Sequence, residues 1–452
     1  MRLSLSLDRL ARPFVVFVER FYPDAFVFAL LLTGVTLAMA VALTPTTPSE
    51  AIGIWGRGLA GLLPFITQVA LTLVCAHALA HTDLVRRGIE RVATWPSSPP
   101  AAYALVTLVA GAASLVAWSL GLVVGALAAL AVARAGRARG LRLHFPMLVA
   151  SAYAGFVVWH MGYSSSAALF VATPGHALEA SVGLVSVTDT IFAPWNVVLA
   201  LGTLGLVAFV CSRMTPHDDA AIVELSADEE AAIDELPGAA AEGLGHALDG
   251  ARWLSLAAGA LFVAYLAQWF AAEGLRLTLN VVNWSFLGLG LLLARSPIHY
   301  VTLIANASRA LGPVVLQYPF YAGIMGLMTS TALVELFSDG FVAIATRDTL
   351  GFWAFVSGGV LNFFVPSGGG QWAVQGPIFI AAAHKLGTPI PEVVMGVAYG
   401  DQWTNMIQPF WTLPMLAIAG LNARAIMGYC FVVFLVTGVV FGGGLLWVGA
   451  LS

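Results

Sequence analysis

The feature that most constrains this chain is a series of long segments that contain apolar residues and no charge. Of its 452 residues, 59% are hydrophobic and only 10% are Asp, Glu, Lys or Arg, whereas soluble domains contain about 25% charged residues. A run of about 20 apolar residues is long enough to cross the hydrocarbon core of a bilayer as a helix. The sequence therefore predicts an all-α polytopic membrane protein surrounded by lipid and excludes an ordinary soluble enzyme.

The lysine count, the charge balance and the histidine spacing exclude further functions. Lys385 is the one lysine and has no glycine-rich loop before it, so a P-loop is missing and ATP-driven transport by this chain is excluded. A net charge of −4 without a dense basic tract excludes nucleic acid as a partner. His77 and His81 have the spacing of metal ligands, but no third ligand is evident, so we expect neither a metal site nor a cofactor.

Four longer apolar runs have lengths or compositions that a straight membrane helix does not explain. Residues 101–133 and 349–383 contain 33 and 35 residues without a charge, too many for one crossing and too few for two crossings of about 20 residues each. Each is therefore predicted to form a re-entrant helical hairpin. Residues 145–175 and 393–423 carry polar clusters at their middles, which predicts transmembrane helices that are broken within the membrane.

These features occur twice at a nearly constant offset, which indicates an internal repeat. Tyr153 matches Tyr399 at an offset of 246 (399 − 153), and Gly175 matches Gly420 at 245 (420 − 175). The predicted organisation is an N-terminal amphipathic segment (residues 1–23), repeat 1 (24–212), an acidic cytoplasmic linker (213–252), an extra transmembrane helix (253–280) and repeat 2 (281–452).

The extra helix makes the number of crossings between the two repeats odd, so the repeats are predicted to have inverted topology. With a cytoplasmic N-terminus, 16 of the 20 lysines and arginines lie inside, and only Arg57, Arg276, Arg347 and Lys385 lie outside. This asymmetry follows the positive-inside rule and supports the orientation. Within the linker, residues 214–251 contain ten of the 24 carboxylates and neither Lys nor Arg, so we expect a solvated tether, with an interaction tail as the alternative.

The tip of the second predicted hairpin has the composition of an anion site. Pro366 is expected to stop the entering helix, and the glycines allow the backbone to approach a ligand closely. The exit helix is expected to begin near Gln371, with its unpaired N–H groups directed at an anion. The alternative is a glycine-rich turn that serves packing alone. The candidate residues of this tip are Asn362, Pro366, Ser367, Gly368, Gly369, Gly370 and Gln371.

The tip of the first predicted hairpin offers fewer polar groups. Its candidates are Trp118, Ser119 and Gly121. We expect the Ser119 hydroxyl and the backbone to bind a substrate, with the Trp118 indole as an apolar wall. The alternative for Trp118 is packing.

The two predicted helix breaks contain the remaining candidates. Asp401 is the carboxylate that lies deepest in an apolar run, and a charge there costs about 2.5–3.5 kcal/mol. A cation or proton site that includes Gln402 and Asn405 would compensate that cost; the alternative is a structural pair with an arginine. His160, followed by Ser164 and Ser165, is able to donate to a substrate carboxylate or to titrate, and the alternative is a histidine that only packs between helices.

Two motifs carry a family resemblance. They are Phe-Val-Pro-Ser-Gly-Gly-Gly-Gln-Trp at residues 364–372 and Ala-Tyr-Gly-Asp-Gln-Trp-Thr-Asn-Met at residues 398–406. The chain resembles the bacterial short-chain fatty acid transporter family, whose named substrates include acetoacetate and butyrate. The resemblance runs nearly end to end. It implies the ion-transporter superfamily, with inverted repeats, paired hairpins, a homodimer and an elevator movement of the hairpin domain.

From the residues and the resemblance together, we expect a secondary active transporter of small monocarboxylates in the bacterial inner membrane, coupled to Na⁺ or H⁺. The carboxylate is expected between the two tips, and Asn362, Asp401 and Asn405 are expected near the cation. The alternatives are an antiporter or a carrier of another organic anion such as a dicarboxylate and, remotely, an intramembrane enzyme or a receptor. A dicarboxylate would require a second positive site, and the predicted cavity contains neither Arg nor Lys.

Overall fold

The computed structural model confirms the all-α expectation for the residues that it describes. It describes residues 25–215, 222–225, 244–274, 276–308, 311–362, 365 and 367–452, and every regular element among them is a helix. The predicted amphipathic segment, residues 1–23, lies outside the described residues, as do Pro366 and most of the acidic linker. By length and composition, seven described helices are able to cross a membrane, or up to eight if a bent pair is one span. The chain is therefore a multi-pass membrane protein.

The helices of the first half lead up to the linker. They are α1 Ala25–Leu43, α2 Pro48–Gly58, α3 Leu63–Ala80, α4 Asp83–Ala93, α5 Pro99–Val116, α6 Trp118–Ala138, α7 Phe145–Gly155, α8 Ser166–Ala172, α9 Glu179–Val182 and α10 Pro194–Arg213. A 3₁₀ segment, Phe156–Met161, continues α7 toward α8.

The helices of the second part begin with two, α11 at the end of the linker and α12, that have no counterpart in the first half. They are α11 Leu244–Asp249, α12 Arg252–Glu273, α13 Leu279–Leu293, α14 Pro297–Ser308, α15 Gly312–Ser330, α16 Leu333–Ile344, α17 Leu350–Leu361, α18 Gly368–Leu386, α19 Ile390–Thr404, α20 Pro409–Ala419 and α21 Arg424–Gly449. A 3₁₀ segment, Asn405–Ile407, joins α19 to α20. From α13 to α21, the helices follow the same order as those from α1 to α10, apart from the short α9.

Prolines and glycines set many of these helix boundaries. Pro64, Pro146 and Pro194 lie in the first turns of α3, α7 and α10, where the missing N–H of proline costs no helical hydrogen bond. Gly387 and Gly420 follow α18 and α20 with positive φ angles of 72° and 71°. Glycine adopts this left-handed conformation at little cost, so it ends a helix cleanly.

Both predicted hairpins are pairs of packed helices, but the length argument for re-entrance holds only for the second pair. α5 and α6 have 18 and 21 residues, and each is long enough to cross, because α5 begins two residues before the predicted run and α6 continues past Arg134. In the second pair, α17 has only 12 residues. Whether either pair enters and leaves the membrane on one side stays a prediction.

The tip of the second pair differs in detail from the sequence expectation. α17 ends at Leu361, and Pro366 lies outside the described residues, so the expectation that Pro366 stops this helix stays a prediction. α18 begins at Gly368 with Ser367 as its N-cap, three residues earlier than the expected start near Gln371. A serine hydroxyl in this position accepts a hydrogen bond from the first helical turn and thereby fixes where the helix begins. The helix N-terminus therefore includes all three glycines.

Each broken helix packs closely on the first helix of the neighbouring pair through a glycine. A Cβ atom on Gly155 would lie 2.5 Å from the carbonyl oxygen of Thr107 in α5, and one on Gly400 would lie 2.6 Å from the backbone nitrogen of Gly359 in α17. The two glycines are 245 residues apart (400 − 155), the same offset as for Gly175 and Gly420. The repeated sequence pattern therefore corresponds to a repeated helix contact.

Part of the acidic linker is docked and is not a plain solvated tether. The Phe145 N–H donates to the Val223 carbonyl at 2.7 Å, and the Val223 N–H donates to His144 Nδ1 at 3.0 Å. Glu224 pairs with Arg142 at 3.3 Å, and Leu225 is buried. Residues 222–225 therefore attach the linker to the connection between α6 and α7.

We predict that Gly400→Ala destabilises the protein by about 1–3 kcal/mol, because the added methyl overlaps backbone that is unable to retreat. The matched control is Gly34→Ala in α1, where a Cβ would meet nothing within 4 Å. Thermal unfolding of the purified protein in detergent, followed by tryptophan fluorescence, measures both. Equal melting temperatures for the two variants would contradict the close contact between α17 and α19.

Candidate functional site

The candidate site is centred on two titratable side chains that the sequence places far apart. His160, in the 3₁₀ segment after α7, has its Nδ1 3.2 Å from Asp401 Oδ2 in α19, and both side chains are 0% exposed. The distance is that of an ion pair, but the angles are not those of a hydrogen bond, so both Asp401 oxygens keep unused acceptor capacity among the described residues. The partner of Asp401 is thus a histidine and not the arginine considered from the sequence.

The surroundings of His160 fix the orientation of its ring. The Ala167 N–H, in the first turn of α8, donates to His160 Nε2 at 3.3 Å. Since Nε2 accepts, the proton of the neutral ring belongs on Nδ1, the atom that faces Asp401. The His160 N–H donates to Gln402 Oε1 at 2.9 Å, and the Trp159 ring stacks on the imidazole with centroids 4.0 Å apart. Both broken helices therefore hold this histidine.

A cluster of oxygens surrounds the side chain of Asn362, at the end of α17. Asn362 Nδ2 donates to the carbonyl of Asp401 at 2.9 Å, to Thr404 Oγ1 at 2.9 Å and to Asn405 Oδ1 at 2.7 Å. An amide nitrogen has only two hydrogens, so it is able to donate to two of these three oxygen atoms at a time. Gln408 Nε2 donates to the Asn362 carbonyl at 2.8 Å, which ties the second tip to the break after α19.

The glycines of the second tip lie directly against aromatic rings and His160. A Cβ on Gly368 would be 2.6 Å from His160 Cε1, and one on Gly369 would be 2.5 Å from Phe65 Cε1. A Cβ on Gly370 would be 2.5 Å from the ring of Tyr321. Any larger residue would displace these rings, so the glycines are needed for this approach.

Two polar side chains of the second tip have partners in neighbouring helices. Ser367 Oγ donates to the Tyr318 hydroxyl at 2.7 Å and accepts from the Gly370 N–H at 3.4 Å. Gln371 Nε2 donates to the Gly358 carbonyl at 2.7 Å. Ser367 and Gln371 therefore hold the tip to α15 and α17 while the first N–H groups of α18 stay free of intrahelical partners.

The first tip contacts the break in its own half and a helix of the other half. The Trp118 N–H donates to Ser164 Oγ at 3.0 Å, and the Trp118 ring meets Trp411 of α20 edge to face at 5.1 Å. A Cβ on Gly121 would overlap Ser114 of α5, so this glycine serves the packing of α5 on α6. The contacts place Trp118 beside both Ser164 and Trp411, whereas the role of each of these residues and of Gly121 in substrate binding stays a prediction.

Each tip contacts a broken helix of the opposite half. The second tip contacts His160 of the first half, and the first tip contacts Trp411 of the second half. Near these contacts, several buried side-chain atoms have no hydrogen-bond partner among the described residues. They are Ser119 Oγ, Trp159 Nε1, Ser165 Oγ, Asn362 Oδ1, Gln371 Oε1, Gln402 Nε2 and Asn405 Nδ2. Such atoms are suited to bind a small polar solute, since an unsatisfied buried polar group is costly.

The charge of the site comes from one carboxylate and from helix ends. The N-termini of α8 and α18 both point their first turns at His160, and such termini favour an anion by up to about 2 kcal/mol each. Neither Lys nor Arg is among the contacts of the residues described above. The arrangement is able to hold one small anion next to one proton or cation.

Sequence reasoning missed three side chains that position the breaks. Asn196, in the first turn of α10, donates to the Met161 carbonyl at 3.0 Å and accepts from the Tyr399 hydroxyl at 2.6 Å. The Tyr153 hydroxyl donates to the Asn405 carbonyl at 2.6 Å. Tyr153 and Tyr399 are the matched tyrosines of the internal repeat, and each reaches across to the other half. That repeated match was the signal that would have identified them.

Comparison with known proteins gives consistent matches along the chain. A family model described as short chain fatty acid transporter matches residues 6–448. A protein of Escherichia coli K12 with the provisional name short-chain fatty acid transporter is 40% identical over 442 residues, 97% of this chain and 99% of that protein. A Haemophilus influenzae protein with the same name is 36% identical over 452 residues and covers 97% of this chain and 99% of its own length.

The helical arrangement also matches a solved structure. The crystal structure of the Alcanivorax borkumensis YdaH transporter aligns with a TM-score of 0.57 at 17% identity and covers 95% of this chain and 99% of that one. At this identity, the match shows a shared fold.

We predict that Tyr399→Phe lowers stability by about 0.6–1.7 kcal/mol, the range for interhelical hydrogen bonds in membranes, because Asn196 loses a donor. Tyr265→Phe in α12 is the control, since that ring is 45% exposed. Thermal unfolding in detergent compares the two variants. If the Tyr399→Phe variant has the same melting temperature as the unmodified protein, the contact between α10 and α19 is contradicted.

Proposed function

The chain belongs to the short-chain fatty acid transporter family, and on that premise we propose that it is a secondary active transporter of short-chain fatty acids and other small monocarboxylates. It works by cation symport, with Na⁺ or H⁺ as the coupling ion, and it functions as a homodimer in the bacterial inner membrane with its N-terminus in the cytoplasm. The observation that carries the proposal is the fully buried pair of His160 and Asp401, located where both helix breaks and the second tip come together. Family membership favours transport over an intramembrane enzyme.

The substrate carboxylate binds at the start of α18. The N–H groups of Gly368 and Gly369 provide donors, the Gly370 N–H already donates to Ser367 Oγ, and the Ser367 hydroxyl and His160 lie beside them. Trp159, stacked on His160, provides an apolar surface for the short carbon chain. The first tip contributes Trp118 and Ser119 from the opposite side through the contact with Trp411. Helix N–H groups suit a single carboxylate without requiring an arginine.

The coupling cation binds near Asn362, Asp401 and Asn405. Three oxygen atoms already converge on Asn362 Nδ2. A half-turn of the Asn362 amide would replace this nitrogen with a fourth oxygen, which gives the all-oxygen environment that hard cations prefer. The Asp401 carboxylate supplies the negative charge. Protonation of Asp401 is the equivalent event if the coupling ion is H⁺.

Release of the substrate requires movement, because the central side chains are buried. We propose that the two repeats, residues 24–212 and 281–452, have inverted topology and that the hairpins and broken helices move as a unit in an elevator mechanism. The repeated order of helices and the equivalent glycine contacts at Gly155 and Gly400 support this division. Residues 253–280, which include α12, form the extra crossing that inverts the second repeat.

We predict that Asp401→Asn reduces gradient-driven uptake of labelled acetoacetate or butyrate into proteoliposomes to the level of protein-free vesicles. The substitution keeps the size of the side chain but removes the charge that couples the cation. Asp189→Asn, at an exposed position in the outer loop before α10, is the matched control. Concentrative uptake by Asp401→Asn at the control rate would remove Asp401 from the mechanism. Parallel assays with a Na⁺ gradient and with a pH gradient identify the ion.

We further predict that acetoacetate and butyrate compete in counterflow and that four-carbon diacids do not. A second carboxylate would lie near Asp401 without a lysine or arginine to compensate it, and like charges repel each other in a low-dielectric site. Counterflow of labelled butyrate against each unlabelled acid measures the preference. Equal exchange with succinate would contradict the monocarboxylate assignment.

A further inference from the structure

A small cavity lies behind the second tip. Its volume is about 70 Å³, and its wall includes Gly61, Phe65, Phe170, Thr173 and His176. The rim near Gly61 is exposed, whereas Phe65 and Phe170 at its floor are 5% and 2% exposed. The cavity therefore runs from the surface of the chain to an aromatic floor.

The second tip packs against the other side of this aromatic floor. The Phe65 ring meets Phe170 edge to face at 5.0 Å and lies 6.0 Å from the Tyr318 ring. A Cβ on Gly369 would be 2.5 Å from Phe65 Cε1 and 3.1 Å from the Tyr318 hydroxyl, which bonds Ser367. One phenyl ring thus separates the cavity from the backbone of Gly369.

We propose that this cavity is one end of the substrate's route and that Phe65 is the gate that closes it over the second tip. This inference rests on the proposed function, since it assigns the path to the carboxylate site described above. A ring that is held edge-on by Phe170, with a cavity on one face, is able to rotate into that cavity without displacing a helix. Rotation connects the cavity to Ser367 and to the N–H groups of α18. The remaining wall, with Thr173 and His176, is polar enough for a hydrated acid.

Cysteine accessibility tests the gate without requiring transport. In proteoliposomes, a Ser367→Cys protein is treated with a membrane-impermeant thiosulfonate, alone and with Phe65→Ala added. Native Cys75, Cys211 and Cys430 are buried, and labelling of the protein without Ser367→Cys is subtracted. We expect Phe65→Ala to increase the labelling rate of Cys at position 367 by roughly tenfold, because modification follows the population of the open state.

The matched control is Leu63→Ala, two residues before Phe65 on α3 but 52% exposed and outside the cavity wall. Equal labelling rates with Phe65→Ala and Leu63→Ala would overturn the gate while leaving the uptake results intact. Butyrate should slow the labelling in the Phe65→Ala background. If Phe65→Ala speeds the labelling but butyrate does not slow it, the assignment of the cavity to the substrate's route is overturned.

A smaller change protects the test against misfolding. Phe65→Leu keeps a branched apolar side chain but shortens it, so we expect an intermediate labelling rate and an unchanged melting temperature. The labelling rate should rise from Phe to Leu to Ala at position 65, and any other order would contradict the role of ring size. If the uptake assays fail while this order holds, the gate stands and the substrate assignment falls.

Discussion

The structure depends on one buried electrostatic contact, that between His160 and Asp401. A carboxylate within a membrane helix is costly, and here both side chains are 0% exposed. His160 lies in the 3₁₀ segment that follows α7, and Asp401 lies in the last turn of α19, four residues before the 3₁₀ segment that begins at Asn405. His160 accepts a hydrogen bond from the Ala167 N–H of α8 and donates its own N–H to Gln402. The pair therefore joins the break of the first half to the end of α19.

In the proposed function, this arrangement supplies an anion site in a region without lysine or arginine. Helix N-termini replace cationic side chains, since their N–H groups carry a partial positive charge and need no desolvated ammonium or guanidinium. α8 and α18 both begin beside His160, and Gly368 brings the start of α18 within contact of that ring. A neutral donor set of this kind suits one carboxylate and leaves Asp401 for a cation. In the proposal, substrate and ion bind close enough to stabilise each other.

Much of the architecture followed from hydrophobic run lengths, polar clusters and the repeat offset. The all-α fold, the two interrupted helices and the position of the second tip were predicted, because long apolar runs and Gly-rich turns have local physical causes. The start of α18 was misplaced by three residues, since Ser367 caps this helix ahead of the three glycines. The pairing of His160 with Asp401, the Tyr399 contact with Asn196 and the position of Phe65 were beyond sequence reasoning. Each depends on packing between residues far apart in the chain, and Phe65 looks like any other apolar residue in a membrane helix.

A crystal structure with a bromine-substituted short-chain acid tests the central claim most directly, because the anomalous scattering of bromine locates the bound acid without relying on the shape of its electron density. We expect an anomalous peak next to Trp159 and His160, with the carboxylate within hydrogen-bond distance of Ser367 and the first N–H groups of α18. A peak confined to another cavity, such as the apolar one between α4 and α5 lined by Val85 and Val109, would contradict it.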